Sequence, residues 1–338
     1  MRVHLWRESG SINGRAGPAR KGGLRSAALP AKRSPMDRPE PDRRLLGIAM
    51  RAGSATAFGG MSALLKGASV RGVATPEMIF YRSAWALIVI AIWISLGPGW
   101  AAVKTRAPLA HLTRSTIGLT SMLLTFGALA LLPLGEATTL TYAAPILATL
   151  LSGLILAEKI GPRRWSAVAV GFVGVLLVAR PGDGITMIGL AVGIAAAFGQ
   201  SAVMITVRQI SRTEQTAAIV FWFTIFSLIA GIALLPVFGH SHDLLTYAML
   251  AGAGLLGGVG QLSMTSSLRF APVSVVVPLD YLQIVWGIAI GWTVFLSPPT
   301  WLMLAGAALI AASGIYTAYR EHVRGRIPAE AGSMPESS

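Results

Sequence analysis

The chain has 338 residues, of which 54% are hydrophobic and only 12% are charged. Soluble domains carry about 25% charged residues, so this composition excludes an ordinary soluble protein. The formal net charge is +14, yet the basic residues lie in the N-terminal tail and in short gaps between apolar runs. That is the positive-inside pattern of a membrane protein, and it argues against nucleic acid as a partner. No cysteine is present, which excludes disulfides and thiolate metal sites. We expect no cofactor and no metal.

Residues 1–44 predict a disordered basic tail, because 11 of the 28 Lys and Arg lie there and almost no apolar sequence does. Residues 1–35 contain no apolar segment of the roughly 7 to 15 residues that a signal peptide needs. They are interpreted either as a disordered tail or as an upstream extension that is not translated. We favour the second interpretation, with Met36 as the start, because Met36 lies nine residues before the first apolar run.

Ten apolar runs follow, each about long enough to cross a bilayer core of about 30 Å as a helix. They are residues 45–65, 77–96, 115–134, 137–157, 165–180, 186–207, 216–238, 244–268, 272–296 and 300–319. The gaps between them are short, so we expect one compact bundle. The predicted fold class is an all-α membrane protein with ten transmembrane helices.

The distribution of Lys and Arg predicts the orientation. With the N-terminus inside, alternate gaps carry 12 basic residues on the cytoplasmic side, even without the tail, and 3 on the external side. Arg114 is counted in a cytoplasmic gap, and Arg51, near the start of the first helix, is interpreted as snorkelling to the interface. Both termini are therefore expected in the cytoplasm, with residues 320–338 as the C-terminal tail.

Two halves of the chain resemble each other. Ala-Phe-Gly occurs at residues 57–59 and again at 197–199, and Gly174 matches Gly314 at the same offset of 140 residues. The halves correspond to residues 45–180 and 186–319, with five helices each. Because five is odd, the second copy enters the membrane upside down, which predicts an inverted repeat and alternating access.

The fourth helix of each half contains a proline, at Pro145 and at Pro278. A proline inside a helix removes a backbone hydrogen bond and clashes with the preceding turn. Corresponding breaks in opposed repeats indicate a binding site near the bilayer midplane.

Polar side chains surround both predicted breaks. The first lies in a stripe of one helix face that includes Thr141, Tyr142 and Pro145, although membrane-buried hydroxyls often bond only their own i−4 carbonyl. The second carries Gln283 on the face of Asp280, and Gly287 with Gly291 is interpreted as a close helix contact.

Asp280 is the only acidic residue far inside any of the ten runs. A charge at the bilayer centre is costly, so we expect its side chain to face the bundle interior. There it could bind a substrate amine, take up a proton, or pair with a structural partner. Arg82, five residues inside the second run, could be functional or could snorkel. Trp222 and Trp286 lie nearer mid-helix than the other tryptophans and could stack on a ligand or face lipid.

The chain resembles the EamA-type ten-helix members of the drug/metabolite transporter superfamily. The resemblance spans residues 45 to about 322 and rests on IFYRSAW, LPLGEATTLTYAAPILATLLSGLILAEKIGPRRW, GFVGVLLVARPG, FAPVSVVVPLDYLQIVWG and GAALIAASGIYTAYRE. It implies a central cavity lined by Tyr142 and Pro145 on one broken helix and by Pro278, Asp280 and Tyr281 on the other. Glu158 occupies an acidic family position that the second half lacks.

The resemblance implies a secondary transporter, and a single interior acid with nearby aromatic residues favours an amine-bearing or cationic cargo. We therefore expect proton-linked export of amino acids or related compounds across the inner membrane. Uptake of a larger nucleoside- or vitamin-like metabolite and a non-transporting receptor or subunit are the alternatives. An enzyme is not expected, because an intramembrane aspartyl protease needs a second carboxylate and no HExxH or GxSxG motif is present. Monomer and homodimer both remain open.

Overall fold

The structure is a computed structural model, and it describes residues 41–155, 162–179, 185–211, 213–271 and 273–331. The proposed start at Met36 and the family acid Glu158 lie outside these residues. The described residues are helical with short connections, in agreement with the predicted fold class. The helices are α1 Pro41–Val70, α2 Thr75–Leu96, α3 Pro108–Leu131, α4 Leu134–Thr141, α5 Ala144–Ile155, α6 Pro162–Val178, α7 Met187–Ile210, α8 Thr216–Phe238, α9 Leu244–Phe270, α10 Val273–Val276, α11 Leu282–Thr293 and α12 Trp301–Ala331.

Five segments of the described chain are long and apolar enough to cross a membrane, and this identifies a multi-pass membrane protein. They are Thr75–Leu96, Pro108–Leu131, Met187–Val207, Thr216–Phe238 and Leu244–Ser267. Two shorter apolar helical segments, Trp165–Val178 and Trp301–Thr317, add to them. The last helix, α12, continues to Ala331, so residues 320–331 are helical where the sequence predicted a tail.

Both predicted helix breaks are present. The run expected at 137–157 is divided between α4 and α5, which are separated by Tyr142 and Ala143. The run expected at 272–296 is divided into α10, a 3-10 turn at Val277–Tyr281 and α11. Each proline lies at the start of the segment that follows the break, where the lack of an N–H costs no hydrogen bond.

The two halves use the same helix contacts in reciprocal form. If α1–α6 are placed beside α7–α12 in order, the contact of α1 with α9 corresponds to that of α7 with α3. The contact of α2 with α9 corresponds in the same way to that of α8 with α3. The α6–α12 contact and the α2–α8 contact each join a helix to its own counterpart in the other half. Equivalent helices of the two halves thus make reciprocal contacts.

Small residues permit the closest contacts between the halves. A Cβ added to Gly174 on α6 would lie 2.8 Å from the Gly306 carbonyl oxygen on α12, and Gly306 is crowded equally by Gly174. A Cβ on Gly287 of α11 would lie 2.6 Å from Thr138 Oγ1 on α4, which confirms the predicted close contact at this glycine. The two broken helices therefore touch each other near their breaks.

Candidate functional site

An ion pair inside the bundle joins the first half of the chain to the second break. Arg51 on α1 donates from Nε to Asp280 Oδ1 at 2.6 Å and from Nη2 to Asp280 Oδ2. Its Nη1 donates to the carbonyl oxygen of Met264 on α9 at 3.1 Å. The carboxylate is thus held in the bidentate geometry that guanidinium groups favour. The Arg51 side chain is 7% exposed and that of Asp280 is 22% exposed.

The interpretation of Arg51 as a snorkelling residue was wrong. Helix α1 begins at Pro41, so Arg51 lies ten residues, about 15 Å, inside it. At that depth the guanidinium reaches the carboxylate of Asp280 instead of the interface. Of the interpretations offered for Asp280, pairing with a partner within the protein is therefore present in the structure.

Two tyrosines face each other across the breaks. The rings of Tyr142 and Tyr281 have centroids 6.0 Å apart and are inclined at 57°. Gln283 lies within hydrogen-bonding distance of the Tyr142 hydroxyl, and the charged groups of Asp280 and Arg51 lie near that hydroxyl. The structure therefore brings together Tyr142, Asp280, Tyr281 and Gln283, which the sequence singled out on two separate helices.

The hydroxyls of the α4–α5 stripe bond their own helices. Thr141 Oγ1 donates to the Ala137 carbonyl oxygen at 2.9 Å, and Thr138 Oγ1 donates to that of Leu134 at 2.7 Å. The carbonyl oxygen of Pro145 likewise accepts from Thr149 Oγ1 at 3.1 Å. These hydroxyl protons are used within the helix, as one of the two interpretations anticipated, so Thr141 has only lone pairs left for a ligand.

Neither singled-out tryptophan lies beside the tyrosine pair as a free stacking surface. Trp286 is 39% exposed, donates from Nε1 to Thr56 Oγ1 at 3.1 Å, and packs its Cβ against Gly59. Trp222 donates from Nε1 to the Val103 carbonyl oxygen at 3.0 Å, which ties α8 to the 3-10 turn at Trp100–Val103. Both indoles serve contacts between segments of the protein.

Arg82 is buried rather than snorkelling, with 6% of its surface exposed. Arg114, which the sequence placed in a cytoplasmic gap, lies inside α3 and is 8% exposed. The misplacement arose because α3 begins at Pro108, seven residues before the apolar run expected at 115. The proline at the first helical position was the signal that could have located this start. Without Arg114 the cytoplasmic gaps together still carry 11 basic residues against 3 on the external side, so the predicted orientation is unchanged.

A His–Glu pair lies at each end of the bundle. At one end His242 Nε2 and Glu77 Oε1 are 2.9 Å apart, beside a cavity of about 560 Å³ that also contacts Tyr81 and Tyr247. At the other end His111 Nε2 and Glu214 Oε2 are 3.3 Å apart. Sequence reasoning missed both pairs, because each joins residues more than 100 positions apart.

The carboxyl group of Glu214 lies in the connection between α7 and α8, outside the membrane-spanning segments. Partial burial opposes its ionisation, but hydrogen bonds from His111, from the Arg106 backbone N–H and from Thr105 outweigh that effect. The pKa of Glu214 is therefore lowered. No group of three or more His, Asp or Glu side chains in the described parts of the chain could hold a metal ion.

An all-helical membrane protein with two reciprocal halves, each broken at one helix, has the architecture on which many secondary transporters are built. The sequence pattern of the EamA-like transporter family matches the chain twice, at residues 45–180 and at residues 187–319. The chain belongs to the EamA-like transporter family. The double match supplies the repeat that the contact pattern indicated.

Two relatives are named for the compounds that they transport. A riboflavin transporter of Rhizobium johnstonii is 30% identical over 68% of this chain and 77% of its own length. The pseudopaline exporter CntI of Pseudomonas aeruginosa is 26% identical over 78% of this chain and 93% of its own. A crystal structure with 17% sequence identity superposes with a TM-score of 0.58, covering 81% of this chain and 98% of the other. That last similarity shows the fold alone.

Proposed function

We propose that this protein is a secondary active transporter of small organic metabolites. Its helices, with α4 and α5 counted as one crossing and α10 and α11 as another, would form two inverted five-helix repeats that open alternately to each side of the inner membrane. The reciprocal helix contacts, the double family match and the two breaks at corresponding helices support this architecture. The excess of basic residues in one set of gaps supports a cytoplasmic location for both termini.

The observation that carries the proposal is the ion pair between Arg51 and Asp280. It is the contact by which α1 of the first half holds the 3-10 turn of the second half. A proton on Asp280 would neutralise the carboxylate and weaken its hold on Arg51. The broken helix would then be free to move relative to α1. Proton uptake would thus be coupled to the change of access.

The ion pair changes the expected cargo. Amine-bearing or cationic compounds were expected because Asp280 could offer a free carboxylate, but Arg51 now neutralises that carboxylate. The remaining groups at the breaks are the phenols of Tyr142 and Tyr281 and the amide of Gln283, which suit a planar, polar, uncharged ring. We therefore favour the vitamin-sized cargo, and the similarity to a riboflavin transporter supports that choice.

The test uses purified protein in liposomes with an imposed pH gradient. Riboflavin and a panel of amino acids are offered separately, and accumulation is compared with that in protein-free liposomes. We expect gradient-dependent movement of riboflavin. Movement of amino acids alone would restore the amine-exporter alternative. Binding of either class without any movement would favour a non-transporting receptor and overturn the proposal.

A further inference from the structure

Two arginines inside the bundle lack hydrogen-bond partners. Arg82 on α2 and Arg114 on α3 are 6% and 8% exposed, and Nε and Nη1 of both side chains are buried without a partner. Among the described residues, no carboxylate forms an ion pair with either guanidinium, whereas Arg51 donates to Asp280 from Nε and Nη2 and to the Met264 carbonyl oxygen from Nη1. The contrast shows that the fold can pair a buried arginine and does not pair these two.

Both guanidiniums point at the same aromatic ring. The Cζ atoms of Arg114 and Arg82 lie 4.5 Å and 6.0 Å from the ring centroid of Phe223 on α8. Glycines make room for them, since a Cβ on Gly118 would overlap Arg114 Nη1 and a Cβ on Gly257 would lie 3.3 Å from Arg82 Nε. Two positive charges therefore converge between α2, α3, α8 and α9.

Three serines close in sequence to Arg82, Arg114 and Phe223 have hydroxyls without hydrogen-bond partners. Ser83 follows Arg82, Ser115 follows Arg114, and Ser227 lies one helical turn after Phe223. The Oγ atoms of all three serines are buried without a hydrogen-bond partner. Such hydroxyls and guanidiniums are donors for oxyanions.

The unpaired positive charges of Arg82 and Arg114 favour the binding of an anion. Burying an unpaired ion costs more free energy than a cation–π contact with one ring returns. Two like charges facing one ring also repel each other. An anionic group in this space would offset both costs.

We propose that Arg82 and Arg114 form a subsite for an anionic group, a carboxylate or a phosphate. The group is carried by the cargo or is a free inorganic anion. As a part of the cargo site, the inference rests on the proposed function. The two places are close along α9, because Gly257 and Met264, which contact Arg82 and Arg51, are two turns or about 10 Å apart. As part of the cargo, the anionic group would be a substituent on the planar ring compound of vitamin size.

The test measures binding rather than transport, so it is independent of whether the protein moves flavins. The probes are riboflavin, riboflavin 5′-phosphate and inorganic phosphate, added to the detergent-purified protein. Riboflavin and its phosphate ester differ only in the charged group. The readouts are flavin fluorescence anisotropy and the thermal midpoint of unfolding. The variants are Arg82→Gln, Arg114→Gln and Gly118→Ala, which keeps both charges but displaces the Arg114 guanidinium. Arg71→Gln is the control, since Arg71 is exposed and pairs with Asp243.

We expect the ester to bind at least tenfold more tightly than riboflavin to the unmodified protein and to Arg71→Gln. The preference should fall below threefold in the other three variants, which would assign the anion to the cargo. If phosphate alone raises the thermal midpoint and the arginine variants abolish that rise, the site holds a free anion. If no probe distinguishes the arginine variants from the unmodified protein, the subsite does not exist.

A second measurement guards against misfolded variants. Without added anion, Arg82→Met and Arg114→Met should raise the thermal midpoint, because each removes an uncompensated buried charge. A lower midpoint in anion-free buffer would mean that the guanidinium is already satisfied within the protein, and that would overturn the proposal. Failure of riboflavin transport with an intact anion response would instead reject only the proposed cargo.

Discussion

Arg51 and Asp280, 229 positions apart in the chain, form a bidentate ion pair that binds α1 to the 3-10 turn between α10 and α11. The pair explains how a carboxylate is tolerated inside the bundle. The guanidinium offsets its charge, and a third donor of the same arginine satisfies the Met264 carbonyl oxygen on α9. One arginine thus joins three segments, two of which lie in the other half of the chain.

Breaking this pair from one side should be more harmful than removing it whole. Asp280→Asn leaves Arg51 buried without compensation, and we expect a loss of up to about 3–5 kcal/mol in unfolding free energy. The double variant Arg51→Gln with Asp280→Asn should recover part of that loss. Unfolding in detergent for both single variants and the double variant measures the coupling. Strictly additive losses would show that the two side chains do not interact.

Tyr281 should make Gly314 intolerant of a methyl group. A Cβ at Gly314 on α12 would overlap the Tyr281 hydroxyl, which is buried without a partner. We expect Gly314→Ala to lower the thermal midpoint by several degrees, and Tyr281→Phe in the same chain to restore part of it. Gly53→Ala is the matched control, because nothing lies within 4 Å of its added Cβ. Equal midpoints for the two alanine variants would contradict the contact.

The connection between α8 and α9 should face outward in the intact cell. Ser241 is exposed there, and the chain contains no cysteine, so Ser241→Cys provides a single thiol. We predict that a membrane-impermeant thiol reagent labels it in intact cells. A cysteine at exposed Lys104, in the connection between α2 and α3, is the control and should be labelled only after lysis. The reverse pattern would invert the proposed orientation.

Glu214 should stabilise the protein at neutral pH and lose that effect in acid. Its folded-state pKa lies below the ordinary value of about 4.3, so the stabilisation is complete above that value and disappears as the pH falls through the folded pKa. Glu214→Gln should therefore lower the thermal midpoint at pH 7, and should lower it less in acid, once the pH has fallen through the folded-state pKa of Glu214. A difference that is the same at both pH values would show that ionisation of Glu214 is not involved.

The sequence predicted those features that follow from local chemistry. Apolar length located the helices, and Pro145 and Pro278 located the breaks, because a missing N–H disrupts a helix in any surroundings. The pairing of Asp280 with a partner was one of the stated possibilities. Its identity was not predicted, since Arg51 was assigned by its distance from the apolar edge at residue 45, whereas the helix begins at Pro41.

Side-chain partners across the bundle were beyond the reach of the sequence. Arg114 was read as part of a gap, and nothing in its own segment indicates that it shares the ring of Phe223 with Arg82. The pairs of His242 with Glu77 and of His111 with Glu214 likewise depend on how separate helices meet. These contacts follow from tertiary packing, for which periodicity carries no information.

The most direct test of proton-coupled transport is the initial rate of riboflavin movement in liposomes as a function of pH, normalised to folded protein. The unmodified protein, Asp280→Asn, and the double variant Arg51→Gln with Asp280→Asn are compared. We predict a pH-dependent rate for the unmodified protein, and no transport or a pH-independent rate for both variants. Transport by the double variant at the unmodified rate with an unchanged pH profile would contradict coupling through Asp280.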